Sequence, residues 1–249
     1  DSSFEVNLIR EKLPEVTVIQ VPEKLYEYPK VLRDNLNLFY NLSSTDEDRN
    51  KTEEYRRQVR RYNEKIKFVD IEDYLISLKL KMTIFQNDES IIPRMSQMSL
   101  KTNQFNLTTK RYTERDIKSF IDNQRFEVFA FSTSDRFGDS GITGLCIVEF
   151  DDANKKAIID TFLMSCRIIG RNLEFAFMDH IFKKIIKRDC RIVFSEYIPT
   201  RKNAQVSEFF DACSYRLIEI DETRKKYELP VVDYQKKNIK YIEVIDGSE

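Results

Sequence analysis

The sequence predicts an α/β fold, because strand-like and helix-like stretches alternate along its C-terminal half. Two strand patterns flank the turn "SDRFGDSG" at 134–141, which predicts a hairpin with a long tip. A further strand pattern ends at Cys166, and a helix with apolar periodicity starts at Asn172. In chain order we expect strands at 126–133, 142–151, 157–166 and 191–198, a helix at 172–189, a shorter helix at 204–213, and closing strands after it.

The N-terminal part predicts more helix than strand. Residues 4–13 carry apolar side chains at helical spacing, and "VTVIQV" at 16–21 is typical of a short buried strand. Residues 25–42 predict one or two helices, and capping residues near 43 open a long polar helix. The stretch 94–113 is rich in Asn, Gln, Ser and Thr, which indicates a long ordered loop.

The composition excludes several classes of function. A chain of 249 residues can form two ordinary domains, and its net charge of -1 gives no global attraction to nucleic acid or anionic membranes. No apolar run approaches the roughly 20 residues of a membrane span. The sequence begins with neither a secretory signal pattern nor an initiator Met. We therefore expect a cytoplasmic protein cut from a longer chain, with neither nucleic acid nor membrane as a partner.

The cysteine and histidine usage argues against a structural zinc site and against a disulfide framework. The four cysteines contain no C-x-x-C pair, and His180 is the only histidine. On a helical wheel His180 lies at a polar edge, so we expect a surface histidine rather than a base. For any one of the cysteines the ordinary interpretation is a small buried hydrophobic residue.

Cys166 differs from the other three cysteines in its position. It ends a predicted strand just before a helix N-terminus, next to Arg167 and close to Arg171, so it lies in a local positive field that favours the thiolate. Cys166 is therefore either a packing residue or a nucleophile. The remaining cysteines, which lie inside or at the ends of apolar elements and are expected to be inert, are Cys146, Cys190 and Cys213.

The order of helices and strands resembles that of the GNAT acetyltransferase fold. In that family a loop of the pattern R-x-x-G-x-G/A, between a strand and a helix, holds the pyrophosphate or pantetheine arm of an acyl carrier. The stretch Arg167 to Asn172 matches the Arg and the first Gly, Gly170, but has Asn172 where the family prefers Gly or Ala. The resemblance implies a mixed, mostly antiparallel sheet, and a helix N-terminus is in any case suited to a phosphate.

Four phrases in fixed order carry a more specific resemblance. These phrases are "RMSQMSLKTNQFNLTTKRY", "DRFGDSG", "TFLMSCRIIGR" and "YIPTRKNAQVSEFF". They resemble the C-terminal part of FkbH-like proteins, in which a HAD-type phosphatase-like domain precedes a GNAT-like domain. The stretches "DSSFEVNLIREKLPEVTVIQVP" and "LSSTDEDRNKTEEYR" resemble the end of that HAD domain and the exit from it.

The resemblance predicts three parts of the chain. We expect residues 1–50 to be the C-terminal remnant of a HAD-like domain, 51–92 a helical connector, and 93–249 a GNAT-like acyltransferase domain. The HAD nucleophile motif D-x-D-x-T is absent. Asp1 resembles one carboxylate of the HAD magnesium site, and one carboxylate does not make such a site. We therefore expect no metal and no phosphatase activity in this chain.

The resemblance also implies a reaction. Such enzymes move a glyceryl-type C3 acyl group from an acyl phosphate, such as 1,3-bisphosphoglycerate, to the phosphopantetheine thiol of an acyl carrier protein in polyketide biosynthesis. A thioester on the enzyme needs a nucleophilic cysteine, and Cys166 is the cysteine inside a shared phrase. No tightly bound cofactor is expected. The partners are the carrier protein and the phosphorylated C3 acid.

Further polar residues of the shared phrases are candidates for the site. Asp135 and Asp139 at the hairpin tip are candidate bases, with a self-satisfied turn as the equal alternative. Asn203 either caps the short helix or contacts the carrier arm. The other residues expected to bind substrate or the carrier arm are Arg167, Gly170, Arg171, Asn172, Arg136, Asn103, Gln104 and Arg111, the last toward the substrate phosphate.

Two alternatives stay open at this point. The first is a GNAT-type acyl-CoA-dependent N-acyltransferase, with CoA as co-substrate, an essential carboxylate base and no need of a cysteine. The second is a non-catalytic module that docks an acyl carrier protein. Because carrier proteins are acidic, docking predicts a basic rim. The candidates for that rim are Lys183, Lys184, Lys187, Arg188, Arg201 and Lys202.

Overall fold

A computed structural model describes residues 3–14, 16–39 and 51–247 of the chain. These residues belong to two compact units, 1–44 and 45–249. The capping residues expected between 43 and 50 lie outside the described residues, as does Asp1. Domain limits at 50 and 92 stay a prediction.

The N-terminal unit is helical where it is described. Its elements are helix α1 (Ser3–Lys12), a 3-10 turn at Leu25–Glu27, helix α2 (Tyr28–Asp34) and a second 3-10 turn at Leu36–Phe39. Helix α2 has Pro29 in its first turn, where the missing N–H costs nothing. The strand expected at 16–21 is not formed, because no described strand pairs with this stretch and a lone strand leaves its backbone groups without ladder partners.

The C-terminal unit contains the remaining elements. Its helices are α3 (Lys51–Lys65), α4 (Ile71–Ser77), α5 (Ile92–Lys101), α6 (Glu114–Ile121), α7 (Leu173–Lys187) and α8 (Phe209–Ala212). Its strands are β1 (Leu80–Gln86), β2 (Phe105–Asn106), β3 (Phe126–Asp135), β4 (Gly138–Asp151), β5 (Lys156–Met164), β6 (Ile192–Tyr197), β7 (Arg216–Ile220), β8 (Lys225–Pro230) and β9 (Ile242–Asp246). No helix in the described ranges is long and apolar enough to cross a membrane.

The strands form one mixed sheet in the order β7-β8-β6-β5-β4-β3-β1-β9, with β2 added beside β5. Neighbouring strands are antiparallel except for the pairs β5–β6 and β1–β9, which are parallel. Helix α7 provides the crossover between β5 and β6 that a parallel pair requires. The predicted α/β fold with a mixed, mostly antiparallel sheet is therefore confirmed.

Both faces of the sheet are covered, and strand alternation distributes side chains between them. Along β3, Phe129 and Phe131 pack into the core beneath α4 and α7, whereas Val128 and Ala130 pack into the core beneath α5 and α6. The Phe131 ring lies over Gly144 of the neighbouring strand. A Cβ at Gly144 would be 1.8 Å from that ring, so only glycine fits there.

Two stretches differ from the sequence-based expectation. The segment 51–92, expected to be a helical connector, contributes strand β1 to the main sheet, where it pairs with β3 and β9. The stretch 94–113, expected to be a loop, begins with helix α5. This helix buries Met95 and Met98, has Pro93 in its first turn, and satisfies its serine hydroxyls on backbone carbonyls.

Candidate active site

The thiol of Cys166 lies where strand β5 turns toward helix α7. The strand ends at Met164, and a 3-10 turn follows at Cys166–Ile168. Gly170 and Asn172 then take positive φ values of 80° and 61°, which redirect the chain into the helix. Apart from its chain neighbours, no atom of the described residues lies within 4 Å of the position that a Cβ on Gly170 would occupy, so this turn is open on that side.

Cys166 is the exposed one of the four cysteines. Cys146, Cys190 and Cys213 are buried, and burial raises the pKa of all three thiols, to about 12 for Cys213. A buried thiol with a raised pKa reacts poorly. The buried three have the surroundings expected of packing residues, and Cys166 alone among the four can meet a substrate.

Cys166 opens into a cleft of about 660 Å³. The cleft is lined by one end of helix α5, by residues 102–104, by Ser165 and Cys166, and by the loop after β6. Its cationic residues are Arg94, Lys101, Arg201 and Lys202. Within residues 51–247 no Asp or Glu lines it, so this part of the site attracts anionic ligands.

Arg94 and Arg201 are held differently at the cleft. The Arg94 guanidinium donates from Nε and Nη2 to the carbonyl of Ile142, both at 3.2 Å, which fixes its place beside strand β4. Arg201 and its neighbour Lys202 are exposed and have no carboxylate partner in the described part of the chain. They are therefore available to an anionic ligand.

Arg111 builds the wall of the cleft rather than lining it. Its guanidinium donates to the Thr102 carbonyl at 2.8 Å and to the Asn103 carboxamide oxygen at 2.6 Å, and it also reaches the Ser99 carbonyl. Arg111 was expected to meet a substrate phosphate, but its donors are used by this loop. Asn103 and Gln104, in contrast, lie at the cleft as expected.

Strand β2 fills the space between the diverging ends of β5 and β6. The parallel pairing of β5 with β6 ends at Ile159 opposite Ser195. Beyond this point Phe105 and Asn106 pair with the end of β5, and the Leu107 carbonyl accepts from the Ile198 N–H at 2.8 Å. A ligand therefore cannot pair with this part of β5, and the thiol is approached through the cleft.

Asn203 locks β2 in place. Its side chain is fully buried, and its amide nitrogen donates to the carbonyls of Asn106 and Ile198, each at 2.9 Å. Its oxygen accepts from the Thr200 N–H at 2.7 Å and from the Tyr197 hydroxyl at 3.1 Å. Contact with a carrier arm or a helix cap was expected. The structure instead shows a buried brace with no surface for a ligand and no cap hydrogen bond.

The two candidate bases at the hairpin tip do not line the cleft. Asp135 is buried and accepts hydrogen bonds from Arg61 of helix α3, at 2.7 and 3.1 Å, and from Arg171 at 3.4 Å. Asp139 is exposed and accepts from the Gly141 N–H at 2.8 Å, which is a turn satisfying its own backbone. Both carboxylates therefore accept hydrogen bonds from groups of the protein itself.

The basic residues near the tip are largely occupied. Arg136 pairs with Glu64 at 2.5 Å. Arg171 is buried against Asp135, and its burial lowers the pKa of the guanidinium. Arg167 donates to the Ser140 carbonyl at 2.6 Å. These three side chains join the tip to helix α3 and to the loop after β5, where binding of a carrier arm was expected.

Asn172 was expected to hold the carrier arm at the start of helix α7. The helix does begin at the next residue, Leu173. The Asn172 side chain, however, donates to the Tyr241 hydroxyl at 2.6 Å and so contacts the C-terminal segment. In the loop 167–172, which was expected to bind the carrier arm, the side chains of Arg167, Arg171 and Asn172 contact other parts of the protein. Gly170 is exposed.

The basic residues that were expected to form one docking rim lie in different parts of the protein. Arg201 and Lys202 lie at the Cys166 cleft. On helix α7, Lys184 pairs with Asp246 at 3.2 Å, and Arg188, which follows the helix, pairs with Glu127 and Asp152. His180 was expected at the surface, but it is buried and lines a different cavity, beside the C-terminal segment.

Arg94 and Lys101 line the cleft but were not predicted as site residues from the sequence. Arg94 and Lys101 lie seven residues apart on helix α5, and Gln97 lies between them, so the three share one face. Recognising Pro93 as the start of a helix would have predicted this face. No group of three or more His, Cys, Asp or Glu side chains in the described ranges could hold a metal ion.

Comparison with known proteins gives likenesses of fold. No family model and no curated protein matches the chain. Among solved structures, the ribosomal protein S18 alanine N-acetyltransferase of Escherichia coli is 13% identical, with a TM-score of 0.46 over 64% of this chain and 98% of that one. A GNAT-family protein of Desulfovibrio desulfuricans is 11% identical, with a TM-score of 0.49 over 60% and 99% of the two chains.

A spermidine N-acetyltransferase of Vibrio cholerae is 8% identical, with a TM-score of 0.47 over 64% of this chain and 98% of that one. At these identities the likenesses concern the fold alone and carry no conclusion about activity. The mixed sheet and its β5-α7-β6 crossover have the element order from which the resemblance to the GNAT fold was predicted. The resemblance to FkbH-like proteins stays a prediction.

Proposed function

We propose that this chain is an acyltransferase in which the Cys166 thiolate accepts a glyceryl-type acyl group from an acyl phosphate and passes it to the thiol of an acyl carrier protein. The observation that carries the proposal is the exposed Cys166 in a cleft whose charged lining residues, within the described part of the chain, are all cationic. A thiolate is a strong nucleophile toward an activated carbonyl, and an acyl phosphate is an activated, anionic donor.

The first step forms a bond between Cys166 Sγ and the carbonyl carbon of the donor. The bond between that carbon and the phosphate oxygen breaks, and inorganic phosphate leaves with the electron pair. In the second step the carrier thiolate attacks the thioester carbonyl and Cys166 leaves as a thiolate. The carrier thiol has lost one proton overall, which the released phosphate or the solvent takes up. No oxidant or reductant is needed.

Arg201 and Lys202 are assigned to the phosphate of the donor. Both are exposed, both line the cleft, and neither has a carboxylate partner in the described part of the chain. Guanidinium and ammonium groups bind phosphate through charge-assisted hydrogen bonds. Asn103 and Gln104 line the same cleft and are assigned to the C2 hydroxyl of the acyl group.

The carrier arm is assigned to the same cleft. Strand β2 covers the end of strand β5, so an arm cannot lie along that strand and has to reach the thiol from the side of helix α5. Carrier proteins are acidic, and the positive residues at the mouth of the cleft suit such a partner. The carrier and the donor therefore use the site in turn, as a thioester mechanism requires.

The test is the intact mass of the 249-residue chain after incubation with 1,3-bisphosphoglycerate, generated in place from 3-phosphoglycerate and ATP by phosphoglycerate kinase. We expect an adduct of one 3-phosphoglyceryl group, because the transfer leaves the C3 phosphate ester of this donor intact. The adduct should be absent in Cys166→Ala and present in the matched control Cys190→Ala. Adding a carrier protein with its phosphopantetheine arm should remove the adduct. An adduct of equal yield in Cys166→Ala would overturn the proposal.

A second candidate function is an acyl-CoA-dependent N-acyltransferase, and Glu174 favours it. This residue lies in the first turn of helix α7, is buried, and has an Oε2 without a hydrogen-bond partner in the described part of the chain. Burial raises its carboxyl pKa, which suits a general base. Turnover of acetyl-CoA with an amine that is lost in Glu174→Gln and retained in Cys166→Ala would establish this function instead.

The third possibility, docking of a carrier without catalysis, predicts carrier binding with neither an adduct nor turnover of acetyl-CoA. Binding of the carrier to the chain, measured by calorimetry, would then depend on Arg201 and Lys202 but not on Cys166. The three functions therefore give different patterns in the same set of variants.

A further inference from the structure

A second cavity, of about 610 Å³, lies between helix α7 and the C-terminal segment 234–246. Within the described part of the chain it shares no lining residue with the Cys166 cleft. Its volume falls within the range of small-molecule sites. Its walls are largely hydrocarbon, contributed by Phe182, Ile186, Ile239, Ile242 and Val244. The body of a ligand in this cavity is therefore apolar.

The outer wall of this cavity is fixed to the helix by buried polar contacts. Asp179 accepts hydrogen bonds from the Tyr234 hydroxyl at 2.6 Å and from the backbone N–H groups of Lys237 and Asn238 at 3.0 and 2.8 Å. The Tyr234 ring also stacks on Phe182, with centroids 3.6 Å apart and planes within 4°. The cavity is thus a formed space between two joined elements.

Around this cavity, in the described part of the chain, the three lysines Lys183, Lys184 and Lys236 outnumber the two carboxylates Asp179 and Asp246, so the net charge is positive. Of its two carboxylates, Asp179 is used as described, and Asp246 pairs with Lys184 at 3.2 Å. Lys183 and Lys236 line the cavity, are exposed, and have no ion-pair partner in the described part of the chain. Two lysines beside apolar walls favour a ligand with an anionic group at one end of a hydrocarbon body.

His180 adds an unsatisfied polar group to the same cavity. Its side chain is 7% exposed, and its Nε2 is buried without a hydrogen-bond partner in the described ranges. Burial lowers the pKa of the ring to about 4, so the imidazole is neutral near pH 7. The ring lines the cavity, so its surroundings change when a ligand occupies that space.

We infer that this cavity binds a small amphipathic carboxylate, with its hydrocarbon chain against Phe182, Ile239 and Ile242 and its carboxylate at Lys183 and Lys236. The inference does not depend on the chemistry of Cys166. It assigns a ligand class to a part of the molecule that the acyl transfer does not use.

His180 provides the measurement, because it is the only histidine of the chain and its Cε1–H signal is therefore unique in a proton–carbon NMR spectrum of tag-free protein. Titration of the full chain with octanoate should shift this signal saturably. Octanol has the same chain length and no charge, so it should bind at least about threefold more weakly if the lysines contribute as proposed.

Two variants make the test specific. Lys183→Glu reverses one charge at the mouth and should weaken octanoate binding at least about threefold while leaving octanol binding unchanged. Ile239→Trp fills the cavity and should abolish the shift with both probes. No shift with millimolar octanoate on the folded chain would overturn the inference. Equal binding of octanol and octanoate, or unchanged octanoate binding in Lys183→Glu, would overturn the assignment of a carboxylate ligand.

Labelling with iodoacetamide checks that each variant is folded, because a folded chain reacts at the exposed Cys166 and protects the buried Cys146, Cys190 and Cys213. A variant that loses octanoate binding and keeps this labelling pattern supports a separate cavity. Failure of the acyl-adduct experiment would leave these results unaffected, and the reverse also holds.

Discussion

Arg61 of helix α3 and Asp135 at the hairpin tip form a buried ion pair, with Nε and Nη2 of the guanidinium 2.7 and 3.1 Å from the two carboxylate oxygens. The side chains are 4% and 1% exposed, and Arg171 approaches the same carboxylate at 3.4 Å. This pair connects helix α3 to the hairpin tip, and Arg171 joins both to the loop that follows Cys166. Its role is therefore expected to be structural, although Asp135 was a candidate base.

Replacing Asp135 should destabilise the protein without changing its chemistry. Asp135→Asn leaves two buried guanidinium groups without their carboxylate, which costs about 3 kcal/mol of the free energy of unfolding. Urea denaturation measures this loss. The matched variant Asp139→Asn alters an exposed turn residue and should change the free energy by less than about 0.5 kcal/mol. A folded Asp135→Asn protein that no longer alkylates at Cys166 would contradict the structural role.

The brace at Asn203 leads to a second prediction. Asn203→Ala leaves the carbonyls of Asn106 and Ile198 and the N–H of Thr200 without their partner, inside the protein. We expect a loss of about 2–3 kcal/mol in the free energy of unfolding. Gln205→Ala is the control, because Gln205 is exposed and contributes one long hydrogen bond to the Gln104 carbonyl. Hydrogen exchange at the Leu107 N–H should accelerate in Asn203→Ala alone.

The elements that could be predicted from the sequence are those whose signal is local. The hairpin of β3 and β4 and the β5-α7-β6 unit follow from periodicity and turn residues, and the end of β5 places Cys166 at a strand terminus. Helix α5 also had a local signal, in the apolar spacing of Ile92, Met95 and Met98. The serines within the helix and the asparagines after it obscured this signal, because such side chains often form hydrogen bonds with the backbone in turns and loops.

The features that could not be predicted depend on pairs that are distant in the chain. Arg61 is 74 positions from Asp135, and Asn106 is 97 positions from Asn203, so no window of sequence contains either contact. The helical wheel placed His180 at a polar edge because it takes no account of residues 234–246, which cover that face. A side chain's burial is decided by what packs on it, and here that is the C-terminal segment.

The charge of the Cys166 cleft predicts a preference among alkylating reagents. Iodoacetate is anionic and iodoacetamide is neutral and of similar size, so the ratio of their rates reports the potential at the thiol. The cationic lining should raise this ratio above that of a small free thiol. Arg201→Ala and Lys202→Ala should each lower the ratio roughly two- to fivefold at low salt.

The iodoacetate preference should also weaken as ionic strength rises, because the exposed lysine and arginine are screened. Lys187→Ala is the control, since this exposed lysine on helix α7 does not line the cleft. Mass spectrometry after partial reaction should find the label on Cys166. A ratio that is the same in wild type, Arg201→Ala and Lys202→Ala would show that the cleft exerts no field on its ligands.

The burial of His180 predicts a dependence of stability on pH. Its pKa is lowered from 6.5 to about 4, chiefly by burial, with Lys184 and Lys183 opposing the charge of the ring and Asp246 favouring it. Below pH 6.5 the unfolded chain binds a proton at this site and the folded protein does not, so the free energy of unfolding falls as the pH falls toward 4. The loss attributable to this residue between pH 7 and pH 5 is about 2 kcal/mol.

Carboxylates titrate over part of the same range, so the contribution of His180 is obtained from a matched variant. His180→Phe keeps an aromatic ring against Phe129, whose centroid lies 6.3 Å away, and removes the titrating group. Urea denaturation of both proteins at pH 7, 6 and 5 should give curves that separate by about 2 kcal/mol at pH 5, after alignment at pH 7. Parallel curves would mean that the pKa of His180 is the same in the folded and the unfolded protein, so that burial does not keep the ring neutral at pH 5.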